Sequence, residues 1–258
     1  MCRRWLALLG TGLLCACQPA GERQPDPPAG SRATQILQQV LTTHGCDRID
    51  PARIRFGFRG RTYLAERQAG RFRYERRFRS EQSDSIRDIL TNGGFRRLIQ
   101  GQETALSPKD SSAYANSVNS VIYFALLPCF LKDPAVQPAY LGQTRLKGEP
   151  YHKIRVAFRQ EGGGKDYEDT FVYWFHRDRH TLDYLAYNYL TDGGGARFRE
   201  AFNIREVGGI RFADYINYKP RTDRRDVAEF DRLFEQGELE ALSRIELEAI
   251  DVHPLHAD

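Results

Sequence analysis

Alternation of apolar and charged side chains through the first half of this chain restricts its fold more than any other feature. Ile54, Phe56 and Phe58 fall on one side of a period-two pattern, with Arg53, Arg55 and Arg59 on the other. An extended strand sends successive side chains to opposite faces, so the pattern describes a strand with one buried and one wet face. After the turn signal Arg59-Gly60-Arg61 the segment Thr62 to Gln68 returns, and beyond Gly70 the residues Phe72, Tyr74 and Phe78 alternate with Arg71, Arg73 and Arg77. Runs of this kind joined by short turns predict an antiparallel meander with one apolar face.

The pattern continues with two breaks. Ile86 to Leu90 and Phe95 to Gln100 flank Asn92-Gly93-Gly94, a hairpin signal. Ahead of the meander, Ile36, Leu37, Val40 and Leu41 recur at helical spacing within Ala33 to Thr43. The first break is Tyr114 to Leu131, a largely apolar helical stretch closed by Asp133-Pro134, whose surface needs cover from the concave side of a curved sheet. Strands are expected again at 140–146, 151–159, 170–176, 181–190, 197–207 and 210–218. A last helix at 226–236 is the second break, and a final strand follows near 244–252.

The N-terminus carries a different message. Arg3 and Arg4 precede a short apolar run, Trp5 to Leu14, that leads into Leu14-Cys15-Ala16-Cys17. The run is about half the roughly 20 residues a spanning helix needs and ends in small residues. It reads as a signal peptide over residues 1–16 with a bacterial lipobox, leaving Cys17 as the lipid attachment site. The competing reading is a plain secretory signal cut near Ala20. Gln18 is not the aspartate associated with inner-membrane retention in enteric bacteria, so a cell-envelope protein anchored by palmitate-type acylation in the outer membrane, facing the periplasm, is expected. Residues 17–32 are rich in Pro, Gly and charge and read as a tether, and residues 33–258 as one domain.

Removal of the signal lowers the formal net charge from +4 to +2, since Arg3 and Arg4 leave with it. A near-neutral exported chain is a poor nucleic-acid binder, and no nucleic-acid partner is expected. Cys46 and Cys129 remain as ordinary thiols. In an oxidising compartment they either pair or persist as buried free cysteines, and spacing does not choose between these.

The order of lipobox, tether, first helix, antiparallel meander containing Gly70-Arg71-Phe72-Arg73-Tyr74-Glu75, intervening helix and further hairpins resembles the LolA/LolB-like lipoprotein-sorting fold. Ser117-Val118-Asn119-Ser120-Val121, Asp183-Tyr184-Leu185-Ala186-Tyr187, Gly193-Gly194-Gly195-Ala196-Arg197-Phe198-Arg199 and Gly209-Ile210-Arg211-Phe212 resemble strings of a family of uncharacterised bacterial lipoproteins. The resemblance spans most of 54–220. It implies an α+β fold, mainly antiparallel β, in which a curved sheet, or half-barrel, covers an internal apolar helix. A lipobox departs from the soluble LolA pattern, so a dedicated sorting role is not implied.

Signals for catalysis are weak, and no enzyme activity is expected. His176 and His180 flank the turn Arg177-Asp178-Arg179, with Asp178 between them, without further ligands at metal-site spacing, and Ser111, Ser112 and Ser117 lack a Gly-x-Ser-x-Gly frame. The glycine runs 162–164 and 193–195 lie between strands and lack the Lys-Ser or Lys-Thr of a phosphate loop. No metal and no cofactor is expected. The expected site is instead an aromatic-lined cavity for an acyl chain, lipid or lipoprotein, built from Phe56, Phe58, Phe72, Tyr74, Trp174 and Tyr187. Alternation from 197 to 205 places Arg197, Arg199 and Arg205 on one face, where they would hold an acidic head group or pair with Asp169, Asp183 or Asp214. The alternative function is a structural or interaction lipoprotein whose aromatics form a filled core around the middle helix.

Overall fold

The computed structural model describes residues 31–159, 170–189 and 193–255. The expected signal peptide, Cys17, most of the expected tether, Asp169 and the 162–164 glycine run lie outside these residues.

The chain opens with helix α1 (Arg32–Thr43), capped by Ser31, whose Oγ accepts from the Thr34 amide. There follow β1 (Ala52–Phe58), β2 (Arg61–Gln68), β3 (Arg71–Arg79), β4 (Ser85–Thr91), β5 (Gly94–Ile99) and β6 (Gln102–Thr104). Helix α2 (Pro108–Ala125) leads to β7 (Val136–Leu146), β8 (Glu149–Phe158), β9 (Phe171–His176), β10 (Leu182–Tyr189), β11 (Gly195–Val207) and β12 (Ile210–Pro220). The short α3 (Phe230–Glu235), β13 (Leu239–Ile245) and β14 (Glu248–Pro254) complete the described chain.

Two antiparallel sheets of seven strands result, one ordered β14-β1-β2-β3-β4-β5-β6 and the other β13-β12-β11-β10-β9-β8-β7. The single curved sheet expected from the alternation is thus two sheets. The expected strand near 244–252 breaks at Glu246-Leu247, leaves β13 in the second sheet and crosses to pair with β1 in the first. A period-two pattern specifies faces, not which strands end up neighbours.

Hairpin turns set the register. Arg59-Gly60 and Lys147-Gly148 place both central residues at positive φ, the geometry whose twist matches the flanking strands. Gly45 has a different job: its φ is +66°, and a Cβ there would lie 1.9 Å from the Gly209 carbonyl oxygen. The segment after α1 is thereby seated against the β11–β12 turn, where Arg211 N donates to His44 O.

Ile54, Phe56, Tyr63, Ala65 and Tyr74 share the inner face of the first sheet and pack with Val118 and Ile122 of α2. Further along that face the register row Tyr63, Arg76, Asp88, Arg97 turns polar. Asp88 is fully buried and accepts from Arg76 Nη2 at 2.6 Å and from Arg97 Nε at 2.6 Å, while Arg76 Nη1 donates to Ser117 Oγ of α2. On the outer face Glu75 is buried beneath Arg73, Arg77 and Arg87. The second sheet is covered on both sides. Its inner face, including Ile154, Phe171, Tyr173 and Leu185, packs with α1, and its outer face, including Trp174, Tyr184 and Phe198, packs under Phe230 and Leu233 of α3.

The middle helix differs from expectation in extent and in setting. It runs Pro108–Ala125, ends before the cis Leu127-Pro128 bond, and buries only Val118 and Ile122 of its length. It lies on β3, β4 and β5 of the first sheet, with polar residues such as Asn119 and Ser120 on another side, so it is not an apolar plug wrapped by one sheet. Beyond it Cys129 forms a disulfide with Cys46, tying the end of this segment to the turn after α1.

Candidate functional site

A cavity of about 860 Å³ opens where the inner faces of the two sheets meet beside α2. Its floor on the first sheet extends from Phe58 and Arg59, at one end of β2, to Gly70 and Phe72 beyond the other end. At about 3.4 Å per residue that strand spans on the order of 25 Å, so the cavity is elongated. Phe124 and Tyr123 of α2 form one side, and Phe171, Tyr187, Arg197 and Arg199 of the second sheet form the other.

The walls are built of ring contacts. Phe124 meets Tyr187 at 5.1 Å between centroids, Phe171 meets Tyr187 at 5.7 Å, and Phe72 meets Tyr74 at 4.7 Å. Tyr123 stacks on Phe130 at 5.4 Å, and its hydroxyl pairs with that of Tyr173 at 3.3 Å. Burial pushes Tyr123 up to about 12 and Tyr215 up to about 12, so these phenols stay neutral at physiological pH. Fixed charge enters through arginine: among the described residues Arg59, Arg67, Arg197 and Arg199 line the cavity against a single carboxylate, Asp133. Arg67 donates from Nη1 to Tyr74 Oη at 2.5 Å and lies over the Phe130 ring.

Of the residues chosen from sequence, Phe58, Phe72, Tyr74, Tyr187, Arg197 and Arg199 are brought together in the cavity wall. Three are not. Phe56 is completely buried in the core of the first sheet, stacked on Tyr63 at 5.5 Å. Trp174 points to the outer face of the second sheet, because it alternates with Phe171 and Tyr173, and meets Phe198 at 5.5 Å beneath α3. Arg205 follows an irregularity in the β11–β12 register between Phe202 and Arg205, and its Nη2 donates to Asp214 at 2.9 Å. That shift takes Arg205 out of step with Arg197 and Arg199, and the pairing expected with Asp214 is the one it makes. Of the candidate metal ligands, His176 is engaged: its Nε2 lies 2.9 Å from Glu149 and its Nδ1 accepts the amides of Asp178 and Arg179.

Sequence reading missed Tyr123, Phe124, Phe130 and Asn217. The aromatic three sit in a segment read as a wholly covered helix. Asn217 had a usable signal, since Ala213, Tyr215 and Asn217 alternate onto the inner face and an amide in such a row is out of character for a core.

Fold and site together define a two-sheet antiparallel α+β protein with a half-open, aromatic-walled, arginine-bearing cavity. The chain belongs to DUF6503, a family of unknown function, whose model matches residues 77–247. No curated protein matches it. Similar solved structures include a LolA superfamily protein from Nitrosomonas europaea, 11% identical, covering 87% of this chain and 94% of that chain with a TM-score of 0.46. A DUF1329 family protein from Desulfovibrio piger is 14% identical over 84% of this chain and 100% of that one, with a TM-score of 0.39. Lipoprotein LppX of Mycobacterium tuberculosis is 10% identical over 62% and 90%, with a TM-score of 0.29. A family without an assigned activity was expected from the sequence, and the match shows one. At such scores the solved structures say nothing of a ligand, which must be read from this chain's own side chains.

Proposed function

We propose that this protein is a lipid-anchored, non-enzymatic binder that takes the apolar chain of a lipid, fatty acid or lipoprotein into the cavity between its two sheets. The observation that carries this reading is the elongated cavity of about 860 Å³ walled by aromatic rings. Ligand sites are typically of roughly 300–1,000 Å³, mainly apolar, with a few placed polar groups. Burial of an acyl chain there gains about 25 cal/mol per Å² of apolar surface removed from water. A filled-core structural role fits less well, because α2 leaves the space beside it open instead of occupying it.

The cellular setting proposed is the bacterial envelope, with the lipid on Cys17 in the outer membrane and the cavity domain in the periplasm. Its support is the lipobox and the Cys46–Cys129 disulfide, a bond that persists in oxidising compartments. Among the described residues no helix is long and apolar enough to cross a membrane.

Native mass spectrometry of the protein released from its own membrane tests the reading. The expected result is a stoichiometric adduct of lipid or fatty-acid mass beyond the anchor. A chain that carries no such adduct and acquires none when incubated with envelope lipid extract would contradict it.

A further inference from the structure

Arg199 is the buried charge in this molecule whose partners do not explain it. It is 8% exposed, lines the cavity, and holds its guanidinium 4.0 Å from the Phe124 centroid and 5.1 Å from that of Tyr187. Its Nη2 donates to Tyr187 Oη at 2.8 Å, while its Nε has no acceptor. Among the described residues no carboxylate lies within ion-pair distance, in contrast to Arg76, Arg97 and Arg205, each of which is matched to an aspartate. Aromatic faces offset only part of the cost of a desolvated cation.

Directly across the β11–β12 ladder stands Asn217, also 8% exposed and also in the cavity wall. Its Nδ2 makes one long contact, 3.4 Å to Ser243 Oγ, and its Oδ1 has no partner. Turning the amide over lets Oδ1 accept from the Ser243 hydroxyl and frees an N–H. Tyr187 Oη, whose lone pair receives Arg199, retains its own O–H to donate. Guanidinium, phenol and amide are thus unspent donors grouped at one place beside the Phe124 and Phe171 rings, with Arg197 two residues away.

We infer that Arg199, Tyr187 and Asn217 form a seat for an anionic head group, so that the cavity selects acidic amphiphiles, bearing a carboxylate or a phosphate monoester, over neutral ones. The inference rests on the binding role proposed above and adds its selectivity. An anion here completes the hydrogen bonding of three groups and neutralises a buried cation that has no carboxylate among the described residues. A neutral alcohol of the same chain length fills the apolar space but leaves the charge uncompensated.

Displacement of a neutral fluorescent alkyl probe by palmitate, hexadecyl phosphate, hexadecanol and inorganic phosphate separates the possibilities. The expected result is that one or both acids displace the probe at concentrations about 10- to 100-fold lower than hexadecanol, the size of a charge-assisted hydrogen bond. Arg199→Met should remove that preference while still binding hexadecanol, and Arg199→Lys should restore part of it. Equal displacement by palmitate, hexadecyl phosphate and hexadecanol in the native protein overturns the inference without recourse to any variant. Displacement by inorganic phosphate as effective as by hexadecyl phosphate also overturns it, since the chain would then contribute nothing. A protein that binds no alkyl probe fails the cavity reading itself, which is a distinct result.

Discussion

His44 shows how a single residue couples the two ends of the fold to solution conditions. It closes α1 and is 3% exposed, and its Nε2 accepts from the Leu182 amide. Burial first, and the nearby Arg211 cation second, lower its pKa to about 3 from the usual 6.5. Between those values the unfolded chain binds a proton that the folded chain refuses. Stability is therefore full above about pH 6.5 and falls as pH drops through the window, by at most about 1.4 kcal/mol per pH unit. Unfolding free energies from urea titrations at pH 7.5 and pH 5 should differ by about 2 kcal/mol more in the native protein than in His44→Gln, whose amide can still accept from Leu182. An identical difference in both would remove His44 from the account. None of this was legible in the sequence, where His44 is one polar residue after a helix; only burial in the fold, beside Arg211 and against the Leu182 amide 138 residues away, moves its titration out of the ordinary range.

At the scale of elements, alternation was informative wherever a strand stayed regular. It placed Ile54, Phe58, Phe72 and Tyr74 on one face correctly, and it put Arg197 and Arg199 on the face that the cavity uses. It failed for Trp174 because apolar residues fill both faces of β9, every residue of which is buried. A continuous apolar run carries no sign of which side is which. It failed for Arg205 because the irregular register after Phe202, with Asn203 at φ +47°, reverses the parity of the strand. The buried Arg76–Asp88–Arg97 group escaped notice for a related reason: its members sit on three strands, and only register brings them into one row. Two substitutions separate the outer face of the second sheet from the cavity wall. Trp174→Ala should cost about 3–5 kcal/mol in stability, as for a fully buried large aromatic, while a folded fraction retains its affinity for an alkyl probe. Phe72→Ala, in the partly open wall, should lose less stability but weaken probe binding several-fold. Thermal melts paired with titrations read both, and a binding loss confined to Trp174→Ala would reverse the face assignment.

For the whole molecule, the mainly antiparallel α+β class was legible, and the division into two sheets was not. Local turn chemistry and periodicity dictate hairpins, but the crossing of the chain from β13 to β14 depends on which edges remain free once everything else has packed. That crossing joins the free edge of β1 in one sheet to the β12 edge in the other, and the space left between their inner faces is the cavity. The middle helix, expected to fill such a space, lies on β3, β4 and β5 of the first sheet, reaches the second through Tyr123 and Phe124, and leaves the remainder open. The account therefore stands or falls on whether that space takes up an apolar chain in solution. Equilibrium titration of the folded wild-type protein with a fluorescent fatty acid, alongside Ala213→Trp, measures this directly. Ala213 lies in the cavity wall, and an indole there occupies the volume without touching the buried polar groups of either sheet's outer face. The account predicts saturable uptake of the probe by the wild type and its loss in an Ala213→Trp protein that melts as a folded chain. No uptake by the wild type, or equal uptake by both proteins, would contradict it.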